Sequence, residues 1–458
     1  MQDIEKKVEN IKKLREGILL KYQNTPLFQC SLKDVKKVLI INASSRSGSS
    51  LLYALLRKLP QIYSLTGEAA PFYKLNSSVD GFNLFESDKI PEALVDKAIN
   101  LDGLSRDFFS DLYKSESNPS ITEINVDDYS EHLVLRFLLQ WTDIDFDIST
   151  LKSIISKVLE KYSVNRQKFV TDEFYLCLLE EICLVYPRIN PFYYDISTEK
   201  VAAHFPSLKI PSGPPNDNFN IEEPPFILLA PGKKADPDDL KNKTLLLKST
   251  VDSYRMNLIE KIFPDADIRI IHLVRNPAAT TNGIYDGWLH RGFFSHNLLS
   301  NFDENSDLKK LSIKGYSDIF PFGSHWWNFD LPEGWQTVAD KNLIDVCAFQ
   351  WYSANAEILK YFSTGHAEFR MFHFENIIRN ITSRTEEFRN ILCFAEIPES
   401  EIGHLHLDRL PVVQSTLPPQ LYRWKKRKDI ILKILNDPKI LDMSSQLGYL
   451  KENRKDWL

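Results

Sequence analysis

Long apolar runs are missing from this sequence. Nowhere does it approach the roughly 18 to 20 consecutive apolar residues that a membrane-crossing helix needs. The opening stretch MQDIEKKVENIKKLREGILLKYQ is charged and helical in pattern, without the apolar centre of a secretory signal. A soluble, cytoplasmic protein with no membrane partner is expected. Cysteine is sparse: Cys30, Cys177, Cys183, Cys347 and Cys393 form no CxxC pair and keep no regular spacing. That excludes a disulfide framework and fits reduced thiols in a core. A basic excess is also lacking, since the net charge is −6. A dedicated binder of nucleic acid or of a long polyanionic polysaccharide is therefore not expected. There is no internal repeat, and the GxxxxGK[ST] pattern of ATP- and GTP-binding loops is absent, together with its lysine and Mg²⁺-binding hydroxyl.

What is present is an ordinary globular composition, 43% apolar and 26% charged over 458 residues. Residues 1–35 form a helical lead-in. Residues 36–75 form a strand–turn–helix unit. Residues 76–235 are a mainly helical insertion that ends in proline-rich loop, with one short strand expected over Phe226–Leu229. Residues 236–458 form a second α/β region with a helical C-terminus. The continuous apolar runs Val38–Ile41 and Ile268–Val274 read as buried strands, and Thr244–Lys248 and the later FRMFHF as further strands, alternating with helices. That pattern predicts an α/β fold with a parallel sheet flanked by helices. Thr171 is the expected cap of a helix reaching Tyr186, Ser383 to Glu386 reads as a capping box, and Asn276–Pro277 as a helix start.

Binding sites in such sheets lie beyond the carboxyl ends of the strands. Three features fall there. The first is INASSRSGSSLL, with one arginine and one glycine among five serines between a strand and a helix. Gly48 admits a backbone conformation closed to other residues. The N–H groups of Ser47, Gly48, Ser49 and Ser50 can form an anion nest, and Arg46 adds a permanent charge. The second is Arg275, which closes LVRNP and suits another phosphate. The third is Lys248, which closes an apolar run. Taken singly, each has a plain alternative: a serine-rich turn, an exposed arginine, a solvated strand end. Two anion sites on neighbouring strand tips are a stronger signal than either one.

These residues resemble those of the sulfotransferases that use 3′-phosphoadenosine 5′-phosphosulfate. SSRSGSSLL resembles their phosphosulfate loop in the Arg-Ser-Gly form of carbohydrate, protein-tyrosine and bacterial members. LLLKSTVDSYRMNLIEKIFPDADIRIIHLVRNPAA resembles their second block. FRMFHFENII, Arg423–Trp424 and LGY resemble later signatures. The resemblance covers about 36–75 and 240–458, and implies a P-loop-like parallel sheet with a large helical insertion. It implies in-line transfer without a metal, with 3′-phosphoadenosine 5′-phosphosulfate as donor and adenosine 3′,5′-bisphosphate as product. Ser47 to Ser50 would hold the phosphosulfate, Arg46 and Lys248 would offset developing charge, and Arg275 would hold the 3′-phosphate. The family often has a serine eight residues after that arginine. Here the position is Gly283, so Thr281 or Asn282 would take over the contact. Glu68 in TGEAAPFY matches the glutamate that serves as general base in this branch. His290, His296 and His325 are rivals for that role. His272, inside a strand, reads as core, and Glu375 as structural.

The aromatic run PFGSHWWNFDLPEGW, with Trp326, is expected to wall the acceptor site. RWKKRK reads either as a solvated helix face or as a lid over phosphates. The implied acceptor is a small-molecule hydroxyl or amine, such as a secondary metabolite made in the cytosol. The alternative is a non-catalytic, nucleotide-binding scaffold, for which Gly283 is the main support.

Overall fold

The computed structural model of the chain describes residues 2–77, 87–114, 121–164, 166–302, 308–365, 367–414, 419–450, 452 and 457. The strands are β1 (Lys37–Asn42), β2 (Ile62–Leu65), β3 (Leu112–Lys114), β4 (Thr244–Lys248), β5 (Asp267–Val274), β6 (Phe294–Asn297), β7 (Trp326–Asn328) and β8 (Glu368–His373). Six of them form one sheet in the order β3-β2-β4-β1-β5-β8, and β6 and β7 form a separate antiparallel pair. All neighbours in the large sheet are parallel except β2 and β3.

β1 sits between β4 and β5. Ile41 pairs with Lys248 on one side, and Asn42 with His272 on the other. This register brings the carboxyl ends of three strands to one edge. β1 can be apolar throughout because both sheet faces are covered. Val38, Ile40, Leu245, Leu247 and Ile270 pack into one hydrophobic cluster, and Leu39, Ile41, Leu246, Ile271 and Leu273 into another on the opposite face.

The helical region between β2 and β4 includes Leu101–Asp111, Val126–Gln140, Ile148–Ser163 and Thr171–Val185. It adds β3 to the sheet edge, and its Leu133, Phe137, Phe174 and Leu178 join the cluster that holds Val38 and Ile40. The insertion therefore shares a core with the sheet.

Several local expectations are corrected. Phe226 makes a single bridge to Tyr194 rather than starting a strand. Thr171 is the first helical residue after an extended Val170 that provides no side-chain cap. Ser383 lies in the first turn of helix Ile381–Phe394; the cap is Asn380, whose side chain accepts from the Ser383 N–H. Asn276 does cap its helix, accepting from the Ala279 N–H with Pro277 at the first position. All five cysteines are free, but only Cys347 is buried and Cys393 is exposed. Among the described residues no helix is long and apolar enough to cross a membrane.

Candidate active site

The turn after β1 is built for close approach. Gly48 has φ +98°, and a Cβ there would come 2.1 Å from the Phe374 ring. Both facts require glycine. Helix Ser49–Leu56 starts immediately afterwards with no side-chain cap, which leaves its first-turn N–H groups and positive end to a ligand. Ser44 and Ser47 share a hydrogen bond of 2.7 Å, and Ser45 donates to Asp330 Oδ1 at 2.7 Å. Burial pushes the Asp330 carboxyl up to about 6, and Tyr254 donates to its other oxygen. Ser47 is buried and its N–H donates to the Ser44 carbonyl, so it shapes the turn. Ser49 and Ser50 line the cleft.

That cleft has about 1390 Å³ of space open to solvent and collects Arg46, Glu68, Lys248, Arg275, Asn282 and Gly283. Lys248 is 4% exposed; its Nζ donates to Glu68 and, at 3.0 Å, to Ser50 Oγ. The Arg46 guanidinium lies 5.0 Å over the Phe293 ring and donates to the Gln414 carbonyl at 2.8 Å. Arg275 lies 5.0 Å over the Phe374 ring and donates to the Arg46 carbonyl at 3.0 Å. Arg423 lines the same space. Among the described residues no carboxylate forms an ion pair with Arg46, Arg275 or Arg423. Burial brings Arg46 down to about 10, and repulsion from Arg275 and Arg423 adds to the shift. Arg275 is lowered likewise, chiefly by burial. Cations that destabilise one another in a half-desolvated cleft attract an anion.

The helix after Arg275 is anchored from a distance. Glu375 Oε1 accepts from the Asn276 N–H at 3.0 Å and from its side chain at 2.6 Å, and Glu375 Oε2 accepts from Tyr449 OH at 2.8 Å. Glu375 and the LGY segment therefore meet to hold the strand end that carries Arg275. Asn282 donates to Asp286 and accepts from Arg427, whereas Thr281 is buried and does not line the cleft. The basic run divides: Lys426 and Arg427 pair with Asp286, and Arg423 turns to the cleft.

The histidine and tryptophan candidates lie elsewhere. His296 is buried and pairs with Asp88, His325 meets Ser324, and Trp326 packs edge-on against Phe294. None of them lines the cleft, and neither does His290, whose ring burial lowers to about 4. Trp327 and Trp335 are likewise core, so of the aromatic run only Phe329 reaches the cavity wall. Rings in this segment are drawn inward because the β6–β7 pair folds them onto helix Pro277–Trp288.

The cleft residues that no feature of the sequence pointed to are Arg136, Phe293 and Gln414, whereas Phe329 and Arg423 fall inside the aromatic and basic runs. Phe293 and Phe329 stack with centroids 4.7 Å apart below Arg46. Among the described residues, six non-glycine positions have positive φ, and four of them (Arg46, Phe293, Phe329 and Gln414) line this cleft. Strain of this kind gathers at functional sites. Gln414 also accepts from Ser50 Oγ through its side-chain oxygen at 2.7 Å. In this state, two donors that face an anion are satisfied by one residue. The aromatic run around Phe329 and the basic run around Arg423 carried the sequence signals for this part of the wall.

No family model matches the chain, and none of the curated proteins compared with it matches either. Among solved structures it is similar to a sulfotransferase from Alicyclobacillus acidocaldarius, at 10% identity, over 92% of this chain and 99% of the other, with a TM-score of 0.33. It is similar to sulfotransferase STF9 from Mycobacterium avium at 12% identity, over 95% and 83%, with a TM-score of 0.35. For sulfotransferase STF1 from Mycobacterium tuberculosis H37Rv the values are 9%, 93%, 92% and 0.28. Overlays this loose leave the functional reading to the residues of the cleft.

Proposed function

We propose that the protein is a sulfotransferase that moves a sulfuryl group from 3′-phosphoadenosine 5′-phosphosulfate to a hydroxyl or amine of a small molecule in the cytoplasm. The observation that carries this reading is the set of three guanidinium groups without carboxylate partners among the described residues in one cleft, beside a lysine–glutamate pair at the same loop. Those residues fit a nucleotide with anions at both ends. Arg275 and Arg423 suit its 3′-phosphate. Arg46, Ser49, Ser50 and the start of helix Ser49–Leu56 suit its phosphosulfate.

In the proposed reaction the acceptor oxygen or nitrogen forms a bond to sulfur while the bond from sulfur to the bridging phosphate oxygen breaks. The electron pair of the broken bond stays on the 5′-phosphate. Glu68 takes the acceptor's proton. Arg46 and Lys248 offset the charge that grows on the bridging oxygen, and their fixed positions supply most of the acceleration. Arg136, Glu223, Pro225, Ile227, Phe293 and Phe329 belong to the rest of the wall, where an acceptor with both apolar and polar parts would lie.

The scaffold alternative rested on Gly283. A Cβ at that position would stand 3.1 Å from the Arg46 Cβ, so the glycine has a packing reason and need not record decay. Calorimetric titration with adenosine 3′,5′-bisphosphate against ATP is the test, followed by turnover with ³⁵S-labelled donor. The bisphosphate is expected to bind preferentially. Arg46→Ala and Glu68→Ala should each lower turnover by roughly 10²-fold, and Glu68→Ala should leave bisphosphate affinity nearly unchanged. Preference for ATP, or a Glu68→Ala enzyme at full rate, would overturn the assignment.

A further inference from the structure

Behind the Lys248–Glu68 pair lies a carboxyl group that the proposed reaction does not use. Asp252 sits in the short 3-10 turn Thr250–Tyr254, four residues after Lys248, and is fully buried. Neither of its side-chain oxygens has a hydrogen-bond partner among the described residues. Ser249 Oγ and Tyr73 OH are buried and unpartnered as well. Unsatisfied buried polar atoms are rare and call for a reason.

The groups that act on Asp252 are Glu68 from the loop after β2, Lys248 from the end of β4, Arg255 from the end of its own turn and the Ser249 backbone N–H, whose weak pull towards the ionised form burial outweighs. Tyr73 from helix Ala70–Leu75 faces it too. Both cations are committed elsewhere. Arg255 donates to the Asp88 carbonyl at 2.7 Å and to its carboxylate at 3.1 Å. Lys248 is held by Glu68 and Ser50. An ionised Asp252 would be a buried charge with no cation of its own, beside another carboxylate.

We propose that Asp252 is a positioning residue held as a neutral acid, so that Lys248 and Glu68 remain a one-to-one pair whose balance shifts when Glu68 receives the acceptor's proton. Resting on the reaction proposed above, the device works by counting charges. Before transfer, Lys248 is balanced by Glu68 alone. When the acceptor's proton moves to Glu68, Lys248 has no anion left except the charge that develops on the bridging oxygen, and its full field acts there. Asp252 keeps its own proton throughout. Were Asp252 ionised, it would neutralise Lys248 at that moment. Burial, with the Glu68 charge adding, pushes the Asp252 carboxyl up to about 8, which agrees with this arrangement.

The test compares the wild-type protein with Asp252→Asn, which keeps the shape and the neutrality but cannot ionise. The wild-type kcat should fall above about pH 8 as Asp252 loses its proton. The variant should keep its neutral-pH rate within about threefold and lack that alkaline fall. An alkaline limb identical in both proteins would overturn the positioning role. Infrared difference spectra of wild type minus Asp252→Asn, recorded from pH 6.5 to 9.5 without substrate, should show the carbonyl band of a protonated carboxyl that fades through the same range. No such band would overturn the neutral acid, whether or not the protein transfers a sulfuryl group. Absence of turnover in the wild type, with the band present, would instead locate the failure in the proposed reaction.

Discussion

The backbone of Gly283 passes the Arg46 side chain so closely that a Cβ would lie 3.1 Å from the Arg46 Cβ and 3.8 Å from its Cγ. Arg46 has little room to yield, because its φ is +64° and its guanidinium is held over Phe293 by the Gln414 carbonyl. A serine at 283 would bring a hydroxyl towards the 3′-phosphate region while displacing the arginine that faces the phosphosulfate. Displacement should dominate, since a charge-assisted contact outweighs a neutral hydroxyl. Gly283→Ser and Gly283→Ala are both expected to weaken binding of adenosine 3′,5′-bisphosphate by about tenfold, close to 1.4 kcal/mol. Calorimetry on the pair separates the two effects. If serine tightens binding while alanine weakens it, the hydroxyl is a donor that outweighs the displacement; if alanine leaves affinity unchanged, the packing explanation fails.

At the scale of elements, the strand end that carries Arg275 is fixed by contacts from far along the chain. Glu375, just after β8, ties down Asn276 and is held in turn by Tyr449 near the C-terminus. Both partners are buried, so Tyr449→Phe removes one hydrogen bond to a charged group and should cost about 1.5–3 kcal/mol of stability in urea unfolding. The same variant should weaken bisphosphate binding, because the start of helix Pro277–Trp288 loosens with it. Unchanged affinity together with lost stability would show that the tie does not position Arg275. β1, β4 and β5 were legible in the sequence because strands covered by a helix layer become continuous apolar runs. β8, an edge strand whose first three residues are exposed, was legible only from the run FRMFHF. β2 and β3 were not, being four and three residues long and defined only by their neighbours. Arg46, Lys248 and Arg275 were legible as charges at the ends of apolar strands. Phe293 and Gln414 were not, and Phe329 only as one ring of an aromatic run, since nothing in a phenylalanine or glutamine announces a left-handed backbone; tertiary packing imposes it. The three histidines and Trp326 misled for a related reason: a polar or aromatic residue in a glycine- and proline-rich segment can still be folded inward.

Across the whole molecule, a net charge of −6 coexists with a cleft dominated by cations, so ligand attraction is local and acid sensitivity is spread through the core. His272 sits at 0% exposure in β5, next to β1, with Nε2 on Asn355 and Nδ1 unpartnered. Burial lowers its imidazole to about 4. A base whose proton affinity is depressed on folding binds fewer protons in the native state than in the unfolded state, where the ordinary value is about 6.5. Its contribution to stability is therefore complete above that value and drains away as the pH falls towards 4. Asp252 and Asp330 act in the opposite sense, because their carboxyls are raised to about 8 and about 6 and the fold gains stability as they take up protons. The wild-type profile alone thus mixes gains and losses, and only a comparison isolates the histidine. His272→Gln keeps a polar side chain for Asn355 and removes the titration. Between pH 7.5 and pH 5 the wild type is expected to lose about 2 kcal/mol relative to that variant in urea unfolding. A difference between the two proteins that stays constant over this range would mean that His272 is protonated as readily in the fold as outside it.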